Sequence, residues 1–411
     1  MKEDRRSIDD IVDIFRQRGV KAALPLFNKL APSLYRTLPP KDFLRLLRVR
    51  SLLDRSGFPI TPSTPDEYRA TLDRMTPGSM DRGMRMRVFL EGSAAAADAE
   101  TVRRDFEESI ARSLKTDPNL WPPENPFVAD LVHYVDRKVR RVVTAHGADL
   151  ANTVIGELPT GEINALVFPV PSGGQVIGVD AGAIIFLGLF SLVVSSSIPV
   201  EKLQDGSLTI SLTDETLDSA LQASRGSTTD FRQLLRAYRT GTLTTESVPR
   251  WARDPFMRHL SPGQQFLSGT LVHTALMFVV AHEYSHILLG HTSINLRPRL
   301  LTPRTTVDSI YHRKDEEIAA DTEALGLVLA CYDERVEVFR TMVVAGIEFL
   351  LSALQITEDG EALRKSKTHP PARVRQENIR SRIRERFPLD NQLMDLGGFI
   401  DKLTSGMAKP D

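Results

Sequence analysis

The sequence predicts an α+β protein, mainly α-helical, with one small β-hairpin set among long helices. Three observations predict it. Apolar residues recur at three- and four-residue steps in most segments, strand-type character is confined to a stretch around one glycine turn, and two segments, near 262–289 and 315–330, are apolar nearly all round. The last pattern belongs to central buried helices. At 411 residues, 41% hydrophobic and 26% charged, the chain can bury a substantial core. The formal net charge of −1 speaks against a general nucleic-acid binder, because phosphate contacts need a marked basic excess. A single cysteine, Cys331, excludes an intramolecular disulfide and fits a reducing compartment, so a cytoplasmic location is expected. Cys331 ends the apolar run Ala324 to Ala330, which makes it a core thiol rather than a nucleophile.

Taken in order, Met1-Lys2-Glu3-Asp4-Arg5-Arg6 leads into an acidic amphipathic segment with no apolar signal-peptide core behind it. Residues 8–56 read as two or three helices, through Ile11, Ile14 and Phe15, then Phe43, Leu44, Leu46 and Leu47. Pro59 to Pro65 breaks this pattern as a linker or loop, a further helix is expected over about 98–115, and Trp121-Pro122-Pro123-Glu124-Asn125-Pro126 stops it. The expected organisation is an N-terminal helical region over 1–125, a main domain over 126–390 and a C-terminal tail over 391–411.

Within the main domain a helix reads through Val128, Leu131, Val132, Val135 and Val139, and its basic run Arg137 to Arg141 is a solvated face. Ile163–Val170 and Gln175–Val179 are β-prone and flank Pro171-Ser172-Gly173-Gly174, so they form a hairpin. The uncharged stretch Ala181 to Val200 barely meets the length of about 20 apolar residues that a bilayer span needs. Three serines and Pro199 dilute its end, so a buried core helix is the preferred reading and membrane association the lesser one. Residues 201–260 are polar, show little periodicity, and read as an insertion. Ser261-Pro262 then offers an N-cap and a proline at the first helical position, opening a long helix that Gly290 stops.

That helix carries His282-Glu283-Tyr284-Ser285-His286. Histidines four apart share one helical face and can reach one ion, while Glu283, one step round, can take a proton from a water at that ion. Buried in an apolar helix, such residues are costly unless paired or metal-bound. A third ligand is sought in Asp315-Glu316-Glu317-Ile318-Ala319-Ala320-Asp321, the start of the next apolar helix. Glu317 and Asp321 share a face, so Glu317 is the expected ligand and Asp321 the carboxylate that holds a ligand histidine from behind. Glu316 is the fallback. The bland alternative for both glutamates is a pair of solvated first-turn acids favoured by the helix dipole. His273 lies nine residues before His282, half a turn away, and reads as a core histidine; His312 adjoins the second helix, and Tyr284 and Tyr311 are candidate hydroxyl donors.

Two histidines and Glu283 on one helix, followed by Glu317-x-x-x-Asp321 on a second, resemble the gluzincin zinc metallopeptidases. The chain is most similar to the group that includes the CAAX prenyl proteases and the HtpX-type heat-shock endopeptidases, here as a soluble variant. Asn164-Ala165-Leu166-Val167-Phe168 looks like that family's cleft strand, and Thr368-His369-Pro370-Pro371 like its late His-Pro element, with Arg373 shortly after. The resemblance implies a zincin-like core with a small sheet at the cleft, and one Zn²⁺ held by His282, His286 and Glu317. It further implies Glu283 as general base, His369 as an oxyanion donor, Asp321 and Arg373 as supports, and Asn164, Ala165 and Leu166 along a bound peptide. The expected partner is a protein or peptide substrate, with a further protein partner on the N-terminal helices as a secondary expectation. Competing readings are a soluble gluzincin of the repressor-cleaving type, or a latent or non-catalytic regulator whose zinc only stabilises the fold.

Overall fold

The computed structural model describes residues 2–53, 126–158, 164–202, 208–223, 231–236, 260–302, 305–332, 337–358, 370–388 and 394–408, less positions 19, 211, 233–234, 294–295 and 311. The expected linker at 59–65, the helix over 98–115, the Trp121 to Pro126 stop apart from Pro126 itself, and most of the 201–260 insertion lie outside these residues. The elements in chain order are α1 (Lys2–Arg18), α2 (Val20–Thr37), α3 (Pro40–Leu53), α4 (Pro126–Ala145), β1 (Thr153–Leu158), β2 (Ala165–Pro169), β3 (Gln175–Asp180) and α5 (Ala181–Ser197). There follow β4 (Val200–Lys202), β5 (Leu208–Ile210), α6 (Asp214–Ala223), α7 (Pro262–Leu288), β6 (Leu296–Thr302), β7 (Thr305–Ile310), α8 (Lys314–Ala330), α9 (Glu337–Glu358), α10 (Ala372–Arg386) and α11 (Asp395–Ala408). This is the expected mainly helical α+β fold. The chain divides into two compact units, Met1–Ala183 with Gly290–Tyr311, and Ile184–Leu289 with His312–Asp411.

The first unit packs α1, α2 and α3 through Ile8, Ile11, Phe15, Phe27, Leu34, Phe43 and Leu46, all buried, and the same core takes in Leu158, Phe168 and Val176 from the strands. Its sheet has the order β1-β3-β2. The expected hairpin is β2 antiparallel to β3, with Val167 opposite Ile177. Strand β1 pairs parallel to β3, Ile155 opposite Ile177, an arrangement the local turn chemistry did not announce. Arg140 of α4 anchors that strand by donating to the carbonyls of Leu150 at 3.2 Å and Thr153 at 3.0 Å. A second antiparallel pair, β6 with β7, completes the described strands of this unit.

The second unit is built around α7. Its start is a reciprocal capping box: the Gln264 N–H donates to Ser261 Oγ at 3.2 Å, and the Ser261 N–H donates to Gln264 Oε1 at 3.0 Å. Its end comes where Gly290 takes φ +69°, a left-handed conformation that glycine adopts without steric cost. Helices α8 and α9 pack on α7. Gly346 allows the α9 contact, since a Cβ there would stand 2.5 Å from the Cβ of Thr274. Phe190 of α5 stacks on Phe186, Phe231 and Phe349 at centroid distances of 5.8, 5.2 and 5.0 Å. Helix α5, 17 residues long, stands at the lower limit of the roughly 17–25 residues of a bilayer span. Two other helices, over Gly263–Leu288 and Glu337–Glu358, are long and apolar enough by length and composition, and most of each is buried inside the protein.

Within the stretch expected to be a tail, α11 packs on α9. A buried ionic cluster ties the two to α10. Arg380 grips Glu348 with bonds of 2.9 and 2.7 Å and reaches Asp401 at 3.0 Å, while the Gln376 amide donates to Glu348 at 2.6 Å. Burial pushes the Glu348 carboxyl up, against the opposing pull of Arg380 and Gln376. Such clusters are costly to desolvate and costlier to break, because loss of one partner strands the other charge.

Candidate metal centre

Helices α7 and α8 bring three side chains together in the second unit. The Nε2 atoms of His282 and His286 lie 3.1 Å apart. Glu317 turns one carboxylate oxygen to each imidazole, at 3.4 Å from His282 Nε2 and 3.5 Å from His286 Nε2. His286 and Glu317 are almost wholly buried and His282 nearly so. Two imidazole nitrogens aimed at each other repel through their lone pairs unless a proton or a cation lies between them. An ion bound tetrahedrally to nitrogen and carboxylate oxygen at about 2.0–2.2 Å would hold its donor atoms roughly 3.3–3.6 Å apart. Two of the three separations fall in that range and the third is just short of it, so the three residues form a group that could hold a metal ion.

The sequence left Glu316 as a fallback for Glu317, and local geometry separates them. Glu316 sits in the first turn of α8 and accepts the Arg313 N–H at 2.7 Å, with Arg313 Nε at 3.4 Å. Its carboxylate is committed to the helix start. Glu317, one step round, faces the histidines.

Behind His282 runs a polar relay. Its Nδ1 lies 2.9 Å from Asp321 Oδ1, and Arg375 of α10 clamps Asp321 through bonds of 2.8 and 2.6 Å. Burial favours the neutral acid of Asp321, yet Arg375 and His282 outweigh it and hold the carboxyl below its ordinary value. A carboxylate at Nδ1 fixes the ring and leaves Nε2 to the ion. Arg373, the arginine expected in this supporting role, is exposed and pairs with Glu377 at 3.3 Å instead. The stripe of Ala372, Gln376, Ile379 and Ile383 is the buried face of α10. Arg375 borders that stripe, and following the three- and four-residue spacing, rather than proximity to the His-Pro pair, would have found it. Arg375→Gln is expected to weaken metal affinity by about 10–100-fold, the usual cost of losing a partner behind a ligand, while Arg373→Gln leaves it unchanged. Competition against a chromophoric chelator measures both.

Burial alone would lower the His282 pKa, but Asp321 and Glu317 together reverse this and push it up to about 10 in the metal-free protein. Because the folded value lies above the ordinary 6.5, the bound proton stabilises the metal-free fold fully below pH 6.5, and that contribution is lost as pH rises through about 10. A cation must displace this proton. Metal affinity should therefore rise with pH up to about 10, with His282 releasing close to one proton per ion at neutral pH. Calorimetric titration in buffers of different ionisation enthalpy reads that proton directly.

The remaining expected residues are placed as follows. Glu283 is buried beside the histidines on α7, and Tyr284 is fully buried. His273 is also buried and belongs to neither of the two groups of described side chains that could hold a metal ion, the other of which joins His286 with His291 and His312. Asn164, Ala165 and Leu166 belong to the first unit, where Asn164 Oδ1 accepts the Ala165 N–H at 3.0 Å and Leu166 packs partly buried on the N-terminal core. His369 and Tyr311 lie outside the described residues.

Residues 195–390 match the family model Peptidase U49. That similarity supports proteolytic function and, with it, a protein or peptide substrate. The matched stretch contains α7, α8 and α10, and so His282, His286 and Glu317 together with Asp321 and Arg375 behind them. Comparison with curated proteins and with solved structures gave no match.

Proposed function

We propose that the chain is a zinc-dependent endopeptidase of the gluzincin type. The observation that carries this reading is the meeting of His282, His286 and Glu317 from two helices, with Glu283 beside them and a peptidase-family match over the same residues. Two nitrogens and one carboxylate suit Zn²⁺, and three protein ligands leave one position open. Bound there, zinc would supply Lewis acidity and bring the pKa of a water toward about 7.

The chain's own residues then do the proton work. Glu283 holds the proton of the attacking water on its carboxylate and passes it to the leaving amine. Asp321 and Arg375 keep His282 in the tautomer that presents Nε2. By resemblance, His369 donates to the developing oxyanion. An unfolded test protein incubated with the full chain should be cut when zinc is present, left intact after chelation, and cut again when zinc is restored. Cleavage indifferent to metal removal would overturn the metallopeptidase reading.

A further inference from the structure

We infer that His312 is a positioning residue of the candidate metal centre: its ring is the face against which the His286 imidazole is stacked and held in ligating orientation. The inference rests on the metal reading above and adds a residue to it. The two rings are parallel within 10° and their centroids are 3.4 Å apart. An imidazole turns about its last side-chain torsion in a broad, shallow well, so a ligating ring needs something to fix its plane. For His282 the fixing group is polar, Asp321 at Nδ1. The His282 ring stands nearly perpendicular to that of His286, at 86°, so these two do not stack in parallel. His312 offers the face.

The backbone explains why His312 stays in place. It directly precedes Arg313, the N-cap residue of α8, whose N–H donates to Glu316 Oε2 at 2.7 Å. The same carboxylate oxygen lies 4.0 Å from His312 Nδ1, and the His312 side chain is only 9% exposed. Glu316 thereby sets the turn that carries His312, while its neighbour Glu317 faces the ion site. At 3.4 Å the nearly parallel rings have almost no lateral offset, so His312 acts as a flat van der Waals wall that blocks other planes of the His286 ring rather than through the offset geometry aromatic pairs prefer.

The test uses the metal-free full chain titrated with Zn²⁺ and with Co²⁺, as wild type, His312→Ala and His312→Phe, with melting temperatures of the three metal-free proteins alongside. His312→Ala should bind roughly three- to tenfold more weakly and shift the Co²⁺ visible bands. His312→Phe, which keeps a stacking face and no ring nitrogen, should return to within about twofold of wild type with wild-type bands. A role in stability alone would lower the melting temperature without moving the bands, and that outcome overturns the inference. So does a wild-type affinity in His312→Ala, or a His312→Phe no better than alanine. Wild-type protein that takes up neither ion would instead sink the metal reading, and this inference with it.

Discussion

Glu283→Gln is expected to bind zinc as tightly as wild type and to cleave peptide about 10²–10⁴-fold more slowly, the usual contribution of a positioned general base. Glutamine has nearly the shape of glutamate, so α7 and its packing should be unchanged. What it lacks is the ability to take a proton at neutral pH. Glu283 is buried, with 7% of its surface exposed, one step round the helix from His282. Burying a charge is costly unless it is paired, and Glu283 has an interaction of its own, so a role in the reaction and a role in the fold must be told apart by experiment. The two roles have opposite signatures. A catalytic Glu283 yields a variant with full metal content and a melting temperature at or above that of wild type. A purely structural one yields a variant that hydrolyses normally. Metal content by elemental analysis, thermal melting and hydrolysis of an unfolded substrate separate these outcomes, and full activity would sink the proposed role.

Much of the second unit was legible because its signals are local. Ser261-Pro262 and Gly290 mark the ends of α7, the serine through a side-chain oxygen that accepts the Gln264 N–H three residues on and the glycine through its own left-handed backbone. The four-residue spacing of His282 and His286, and of Glu317 and Asp321, fixes which side chains share a face before any tertiary contact is known. What escaped the sequence depends on partners far along the chain. Strand β1 is defined by its parallel pairing to β3, and nothing in Thr153–Leu158 itself names that partner. Helix α9 went unread although it is apolar and long, since no motif drew attention to it. The choice of Arg375 over Arg373 turns on which face of α10 is buried, and Asp321 settles it from another helix.

The choice between Glu316 and Glu317 is the sharpest test of the centre itself, because the residues are adjacent, identical and differ only in direction. Glu317→Ala should lose stoichiometric metal, by more than the roughly 10–100-fold that loss of a supporting partner costs. Glu316→Ala should keep the metal. Its cost should appear instead as lower stability, about 1 kcal/mol, since it removes the side chain that accepts the Arg313 N–H at the start of α8. The loss at Glu317 has two parts. One donor oxygen disappears, and the His282–His286 pair, with nitrogens 3.1 Å apart, loses the negative charge that makes a cation between them favourable. His282 would lose one of the two carboxylates that raise its pKa, so its proton should become easier to remove even as the ion becomes harder to hold. General unfolding would also empty the site and return His282 toward its ordinary 6.5, so the loss of metal marks Glu317 as a ligand only if Glu317→Ala keeps a cooperative thermal transition near that of wild type. If Glu316→Ala were the variant that emptied of metal while Glu317→Ala stayed loaded, the ligand assignment would be reversed.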